Sequence, residues 1–307
     1  MPRLHPNTQT ALKILFGTLA TVAVVVAVLN LPVFAYDADE PVVFMRSVDG
    51  GDMEIFAIDN DGTSEVQLTD NDAEDWAPVW SVDKTRVFFH SNRDGATGIY
   101  VMGADGSNVM RLTPRHTYAR FPQVSPDGTH LAFEMISPDN NSWDVYTMRV
   151  DGTALRRLTF TPWGEGGPAW SPDGTQIAFH SLKHAEMSVG YDIFVMNANG
   201  TNVQRMTFHP DAMDVWPQWS PNGDTIIFHS ERDGDSEIFA MNANGHHQRN
   251  LTNNDTLDRV PRFSEDGNNI IFRSERNGDS EIFIMNLDGS KARQLTSNDA
   301  RDMHPDW

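Results

Sequence analysis

WSPDGTQIAFH at 170–180, followed by IFVMNANG at 193–200 and Met206-Thr207, is the stretch on which the fold turns. Ser-Pro-Asp-Gly suits a type I turn: Ser fits the first position, Pro presets φ at the second, and Gly tolerates the last. Ile177-x-Phe179 then alternates as a strand, Ile193-Phe194 opens another, and Asn199-Gly200 is a tight hairpin signal. Pro168-x-Trp170 ends a further short strand just upstream. Four short strands joined by tight turns in roughly 44 residues make one blade of a β-propeller.

The same unit recurs along the sequence. Pro78, Pro122, Pro168, Pro217, Pro261 and Pro305 are spaced 44, 46, 49, 44 and 44 residues apart, and each is followed two residues later by a large apolar side chain, from Trp80 to Trp307. The first unit starts at its second strand, Val42-x-Phe44, and has no first strand of its own; His304-Pro305-Asp306-Trp307 supplies one from the other end. These repeats predict an all-β, six-bladed propeller over residues 41–307, with four antiparallel strands per blade. One blade is closed by the C-terminal strand carrying Pro305 and Trp307. Closure removes free sheet edges. The protein has no Cys, so that seam stands in for disulfides.

Residues 1–35 have the order of a targeting segment. Arg3 and Lys13 precede an apolar run from Ile14 to Leu29, Asn30 and Pro32 break it, and Val33-Phe34-Ala35 offers small residues at cleavage positions. A signal peptide is one reading. An uncleaved membrane anchor is the other, since Ile14 to Ala35 is long enough to span a bilayer. Both place the rest outside the cytoplasm, periplasmic or secreted, with residues 36–40 as a linker and no membrane contact except through the leader. The 43 acidic against 23 basic residues give a net charge of −20. That acidity argues against nucleic acid and favours a basic partner.

The repeat, WSPDG followed by I-x-F, IF-x-MN-x-(D/N)-G and LT, resembles that of TolB-like propellers, with IFVMNANG at 193–200 and IFAMNANG at 238–245 as good examples. The resemblance implies a periplasmic protein-interaction scaffold, because TolB proper binds a lipoprotein and other proteins of the Tol–Pal envelope system through its propeller. TolB proper carries an α/β domain ahead of the propeller, where this sequence is expected to have only the linker. Oligogalacturonate lyases share the propeller type and use a His-ligated metal, which keeps a carbohydrate-active enzyme or sugar-binding module as the alternative.

Length variation marks the face that is free to bind. The second and third strands are joined by longer loops after Phe133 and Phe179, and one outer-to-inner connection is longer before Pro217. In a four-stranded blade these two connections share one face, opposite the SPDG and NG turns. That loop face carries Trp76, Tyr118, Arg120, Phe121, Trp143, Trp163, Trp216, Arg259 and His304, and aromatic and Arg residues are typical interface anchors. Some of them could instead plug the tunnel mouth. Asp75, Glu165, Asp214, Asp258 and Asp302 occupy one register three residues before the prolines and complete the candidate face. They could ring a Ca²⁺, though Asp there commonly fixes a turn. His90, His180 and His229 share another register and are expected to bridge blades by packing or hydrogen bonds. Loop histidines His116, His184, His209 and His304 are the ones a metal would need. No Gly-rich phosphate loop, H-E-x-x-H or G-x-S-x-G occurs, so no catalytic residue and no required cofactor are expected. The expected partner is an envelope or extracellular protein, with carbohydrate as the second choice.

Overall fold

The computed structural model describes residues 41–48, 51–182, 190–209 and 211–307. The leader and linker therefore lie outside the described residues. These residues form six four-stranded antiparallel sheets, each running from an inner strand at the axis to a two-residue outer strand. The fold is a six-bladed propeller. In blade 1 the order is Asp302–Asp306, Val42–Ser47, Met53–Ile58 and Val66–Gln67, with Val43 opposite Asp306 and Arg46 opposite Asp302. The C-terminal strand thus closes the ring as the repeats predict. Inner strands of blades 2 to 6 are Asp75–Trp80, Ala119–Val124, Glu165–Trp170, Val215–Trp219 and Asp258–Phe263.

Each sheet is apolar on both faces because it is sandwiched between two others. Phe44, Phe89, Phe133, Phe179, Phe228 and Phe272 of the second strands are all buried. The last residue of each inner strand seals the preceding seam: Trp80 packs on Val43, Ile55 and Leu68 of blade 1, and Trp307 on Ile271, Ile282 and Leu295 of blade 6. The recurrent Leu-Thr or Met-Thr ending also has a physical cause. In every blade the Thr hydroxyl accepts the N–H of the third-strand residue, as from Ile55 to Thr69 at 2.8 Å and from Ile193 to Thr207 at 3.0 Å. A two-residue outer strand would otherwise leave that buried donor without an acceptor.

Candidate functional site: the loop face and its aromatic cleft

Every inner strand is interrupted at one place. The residue before the proline, Ala77, Phe121, Gly167, Trp216, Val260 or His304, has φ between 47° and 56°, and the strand register shifts there in all six blades. Left-handed backbone is unusual for bulky side chains and a true outlier for a β-branched one. A residue before proline ordinarily takes extended backbone. A bulge re-aims side chains, and here three of the turned side chains meet.

Phe121, Trp216 and His304, from alternate blades 3, 5 and 1, make a three-membered aromatic collar. Their ring centroids lie 4.4 Å (Phe121–Trp216), 5.5 Å (Phe121–His304) and 5.5 Å (Trp216–His304) apart. The blades between them contribute the small or medium residues Ala77, Gly167 and Val260 at the same register. Large and small side chains therefore alternate around the ring. The void left beside Phe121, Trp216, Val260 and Arg262 is about 10 Å³, room for one water at most. Two positions further along, Arg262 donates to Gln123 (3.0 Å) and Gln218, and its Nε lies 3.7 Å from Asp306. Burial pushes the Asp306 carboxyl up and the Arg262 guanidinium down. Phe121, Trp216 and His304, candidates for partner contact from sequence, are thus largely engaged with one another. The polar layer beneath was missed, although Gln123, Gln218, Arg262 and Asp306 stand in one register between Pro and the large apolar residue.

The repeated histidines hold this bulge in place. The Phe121 N–H donates to His90 Nδ1 at 3.3 Å, Trp216 N–H to His180 Nδ1 at 3.5 Å and Val260 N–H to His229 Nδ1 at 3.4 Å. Glu134 Oε1 takes the same role for Gly167 N–H at 2.7 Å. In each case the acceptor belongs to the preceding blade, the inter-blade role expected from sequence. An Nδ1 acceptor requires the proton on Nε2 and a neutral ring. Burial holds the pKa of His180 down to about 3 and those of His90 and His229 well below the usual range.

The carboxylate register is structural in its geometry. Asp75 receives two bonds from Arg93 Nη2 (2.8 and 2.7 Å), Asp214 one from Arg232 (2.7 Å), Asp258 two from Arg276 (3.1 and 2.9 Å) and Asp302 two from Arg46 (2.6 and 2.8 Å). Each Arg comes from the same blade and lies over its aromatic pair, as Arg232 does 4.7 Å from the Phe239 ring. Glu165 accepts from the Thr161 hydroxyl and from Ser181 at 3.3 Å, and burial raises its pKa to about 7. Four of the five carboxylates thus pair with an Arg of their own blade, and Glu165 lies against Thr161, Ser181 and Asp144 of blade 3. Among the described residues no three His, Asp or Glu side chains are placed to hold a metal. His116 and His209 are exposed, His304 is in the collar, and His184 lies outside the described residues.

Four of the remaining candidates converge beside the collar, with Phe121 shared between the two. Trp76, Tyr118, Arg120, Phe121 and Trp143 line one cleft of about 300 Å³ at the seam of blades 2 and 3, with Glu74, His90, Asn92 and Thr97. Arg120 forms its spine: its guanidinium lies 3.8 Å from the Trp143 ring centroid and 5.1 Å from that of Phe121, while Nε donates to buried Glu134 at 2.7 Å. The Trp76 indole N–H donates to Glu74 at 2.7 Å, which fixes the opposite wall. Tyr118 is 51% exposed at the rim. Trp163 is 37% exposed on the next loop and is not part of the cleft lining, and Arg259 donates to Ser236 at 2.9 Å near the seam of blades 5 and 6. Two larger clefts, about 650 and 490 Å³, lie on the opposite face between the length-invariant turns, beside Pro126 and Pro172 and beside Pro221 and Gly267. Glu74 was not singled out from sequence, because a single acidic loop residue carries no signal by itself.

Comparison with known proteins agrees with this architecture. Over 53 residues the chain is 45% identical to a protein TolB homolog of Chlorobaculum tepidum, a stretch that is 17% of this chain and 12% of that relative. The crystal structure of TolB from Acinetobacter baumannii superposes with a TM-score of 0.75 at 18% identity, covering 88% of this chain and 67% of that one. An oligogalacturonate lyase solved in complex with manganese superposes with a TM-score of 0.61 at 15% identity, covering 84% of this chain and 74% of that one. These two likenesses are ones of fold. The profile of the TolB beta propeller domain matches residues 11–142, 116–230 and 210–307, which together take in all six blades, and the chain belongs to that family.

Proposed function

We propose that this propeller is an extracytoplasmic, non-catalytic scaffold that binds a protein partner through its loop face, with the cleft between blades 2 and 3 as the anchor point. The observation that carries this reading is the convergence of Trp76, Tyr118, Phe121 and Trp143 around Arg120 in one open cleft. Desolvated aromatic and Arg side chains dominate protein interfaces, and the cleft is held rigid by the Glu134 and Glu74 contacts, so little ordering is lost on binding. Family membership supports an envelope setting, periplasmic or secreted, or held at the membrane by residues 1–35. A sugar-binding or lyase role is the second reading. It draws on the fold shared with oligogalacturonate lyase and requires converging His and carboxylate groups around a metal.

The test is recovery of partners from envelope extract by the wild type and by a Tyr118→Ala/Trp143→Ala variant. Tyr118 is exposed at the rim and Trp143 is half-buried beside Arg120, so the variant should lose little melting temperature while partner affinity falls about thirtyfold, the loss expected of an interface hot spot. Equal recovery by both proteins would defeat the assignment. Release of unsaturated products from acidic oligosaccharides by the wild type would transfer it to the lyase reading.

A further inference from the structure

The six seams give an internal comparison: at the seam of blades 1 and 2 the slot after the second-strand Phe holds Met45, which leaves the slot apolar, and the seam of blades 6 and 1 differs from all the others in holding only donors there. At four seams the slot after the second-strand Phe holds an acceptor for the next blade's bulge N–H: His90, Glu134, His180 and His229. The slot in blade 6 holds Arg273, which faces His304 of blade 1 and carries only donors. The reversal is compounded there. Arg273 Nε and both ring nitrogens of His304 are buried, and among the described residues none has a hydrogen-bond partner. Arg273 spends Nη2 on Glu275, and its pKa is lowered by burial and by the nearby charges of Arg259 and Arg301. Three guanidiniums thus gather on the loop face of a protein whose net charge is −20. Buried donors without acceptors cost free energy that a bound acceptor would recover.

We propose that the seam between blades 6 and 1 is a carboxylate-binding site for an acidic side chain of the protein partner. The carboxylate supplies the acceptor that His90, Glu134, His180 and His229 supply at four of the other five seams. It accepts from Arg273 Nε–H and from the one ring N–H that neutral His304 carries, while Arg259 and Arg301 balance its charge. A planar guanidinium with a free edge suits a carboxylate better than a spherical anion. The source of the carboxylate rests on the protein-scaffold reading; the site itself does not.

The experiment uses the full-length protein and needs no partner. Sodium acetate is titrated at constant ionic strength against sodium chloride, following the His304 amide and imidazole and the Arg273 Nε–H by NMR, with the melting temperature read in parallel. Acetate should shift these signals saturably at millimolar concentration, an affinity suited to one small anion, and should raise the melting temperature by linkage. Arg273→His restores the pattern of the other seams; it should fold and bind acetate at least tenfold more weakly. Equal effects of acetate and chloride, or an undiminished response in Arg273→His, would overturn the site. Tighter binding of N-acetylglycine than of acetate would reassign it to the terminal carboxylate of a polypeptide and overturn the acidic-residue part. Failure of the scaffold reading would appear only in the extract experiment above.

Discussion

His229 shows at the scale of one residue how this molecule uses chemistry for structure. Its Nδ1 accepts from the N–H of Val260, a β-branched residue held at φ 53°, so the ring is neutral and cannot gain a proton without losing that bond. The pKa of His229 is lowered chiefly by burial, as are those of His90, His180 and His304. A His depressed in the folded state stays neutral while the unfolded protein protonates. Stability is therefore unaffected above the unfolded pKa of about 6.5 and falls as pH drops below it, by about 1.4 kcal/mol per pH unit for each such group, until the folded pKa is reached. Glu165 acts in the opposite direction between about 7 and its usual value. His229→Asn keeps an acceptor and removes one titrating ring; comparing urea midpoints at pH 7 and pH 5 should show a shallower acid loss than in the wild type. Identical losses would mean that the ring is protonated in the folded protein. His229→Ala removes the acceptor altogether and should cost about 1–3 kcal/mol at neutral pH. The role of these histidines was legible in the sequence because they repeat in register, and a six-fold ring keeps equivalent positions too far apart to share a metal ion.

The inner strand is the element that sequence reading described least well. A proline ordinarily holds the preceding residue extended, yet all six here are left-handed, and no bulge was read from the sequence. At four of the six bulges the N–H meets an acceptor in the neighbouring blade, and no local pattern encodes that. The collar was legible only in outline, as loop-face residues that could plug the tunnel mouth; that Phe121, Trp216 and His304 are the three that meet depends on the bulge that turns them towards one another. Gly167 illustrates the constraint. Its φ of 56° matches that of Phe121 or Trp216, so backbone freedom does not by itself explain why glycine stands there. A Cβ at this position would lie 2.7 Å from His180 Nδ1 and 2.8 Å from Cε1. Gly167→Ala should therefore destabilise by about 1–3 kcal/mol through overpacking. The same change in a His180→Ala background should cost measurably less, because the obstructing ring is gone. Additive losses in denaturant melts of the four proteins would show that the two positions do not interfere.

The whole molecule was the most legible level. Six copies of one hydrophobic pattern, and a first blade short of a strand that the tail possesses, are sufficient to close a ring. Trp307 sits among Val42, Phe44 and Ile58 of its own blade and Ile271 and Ile282 of blade 6, so the seam holds both ends of the domain. Trp307→Ala should cost about 3–5 kcal/mol. Deleting residues 303–307 should lower the melting temperature of the entire propeller rather than of blade 1 alone; an unchanged melting curve would contradict the closure. Ring closure also sorts the loops, sending all length variation to one face and fixed turns to the other, and that division underlies the functional assignment. Its most direct test is backbone hydrogen exchange on the protein alone and in the complex recovered from envelope extract. Partner binding should slow exchange at Trp76, Tyr118–Phe121 and Trp143 and leave the turns at 126–128, 172–174 and 221–223 as they were. Protection of those turns, with the cleft unchanged, would place the partner on the wrong face for this account.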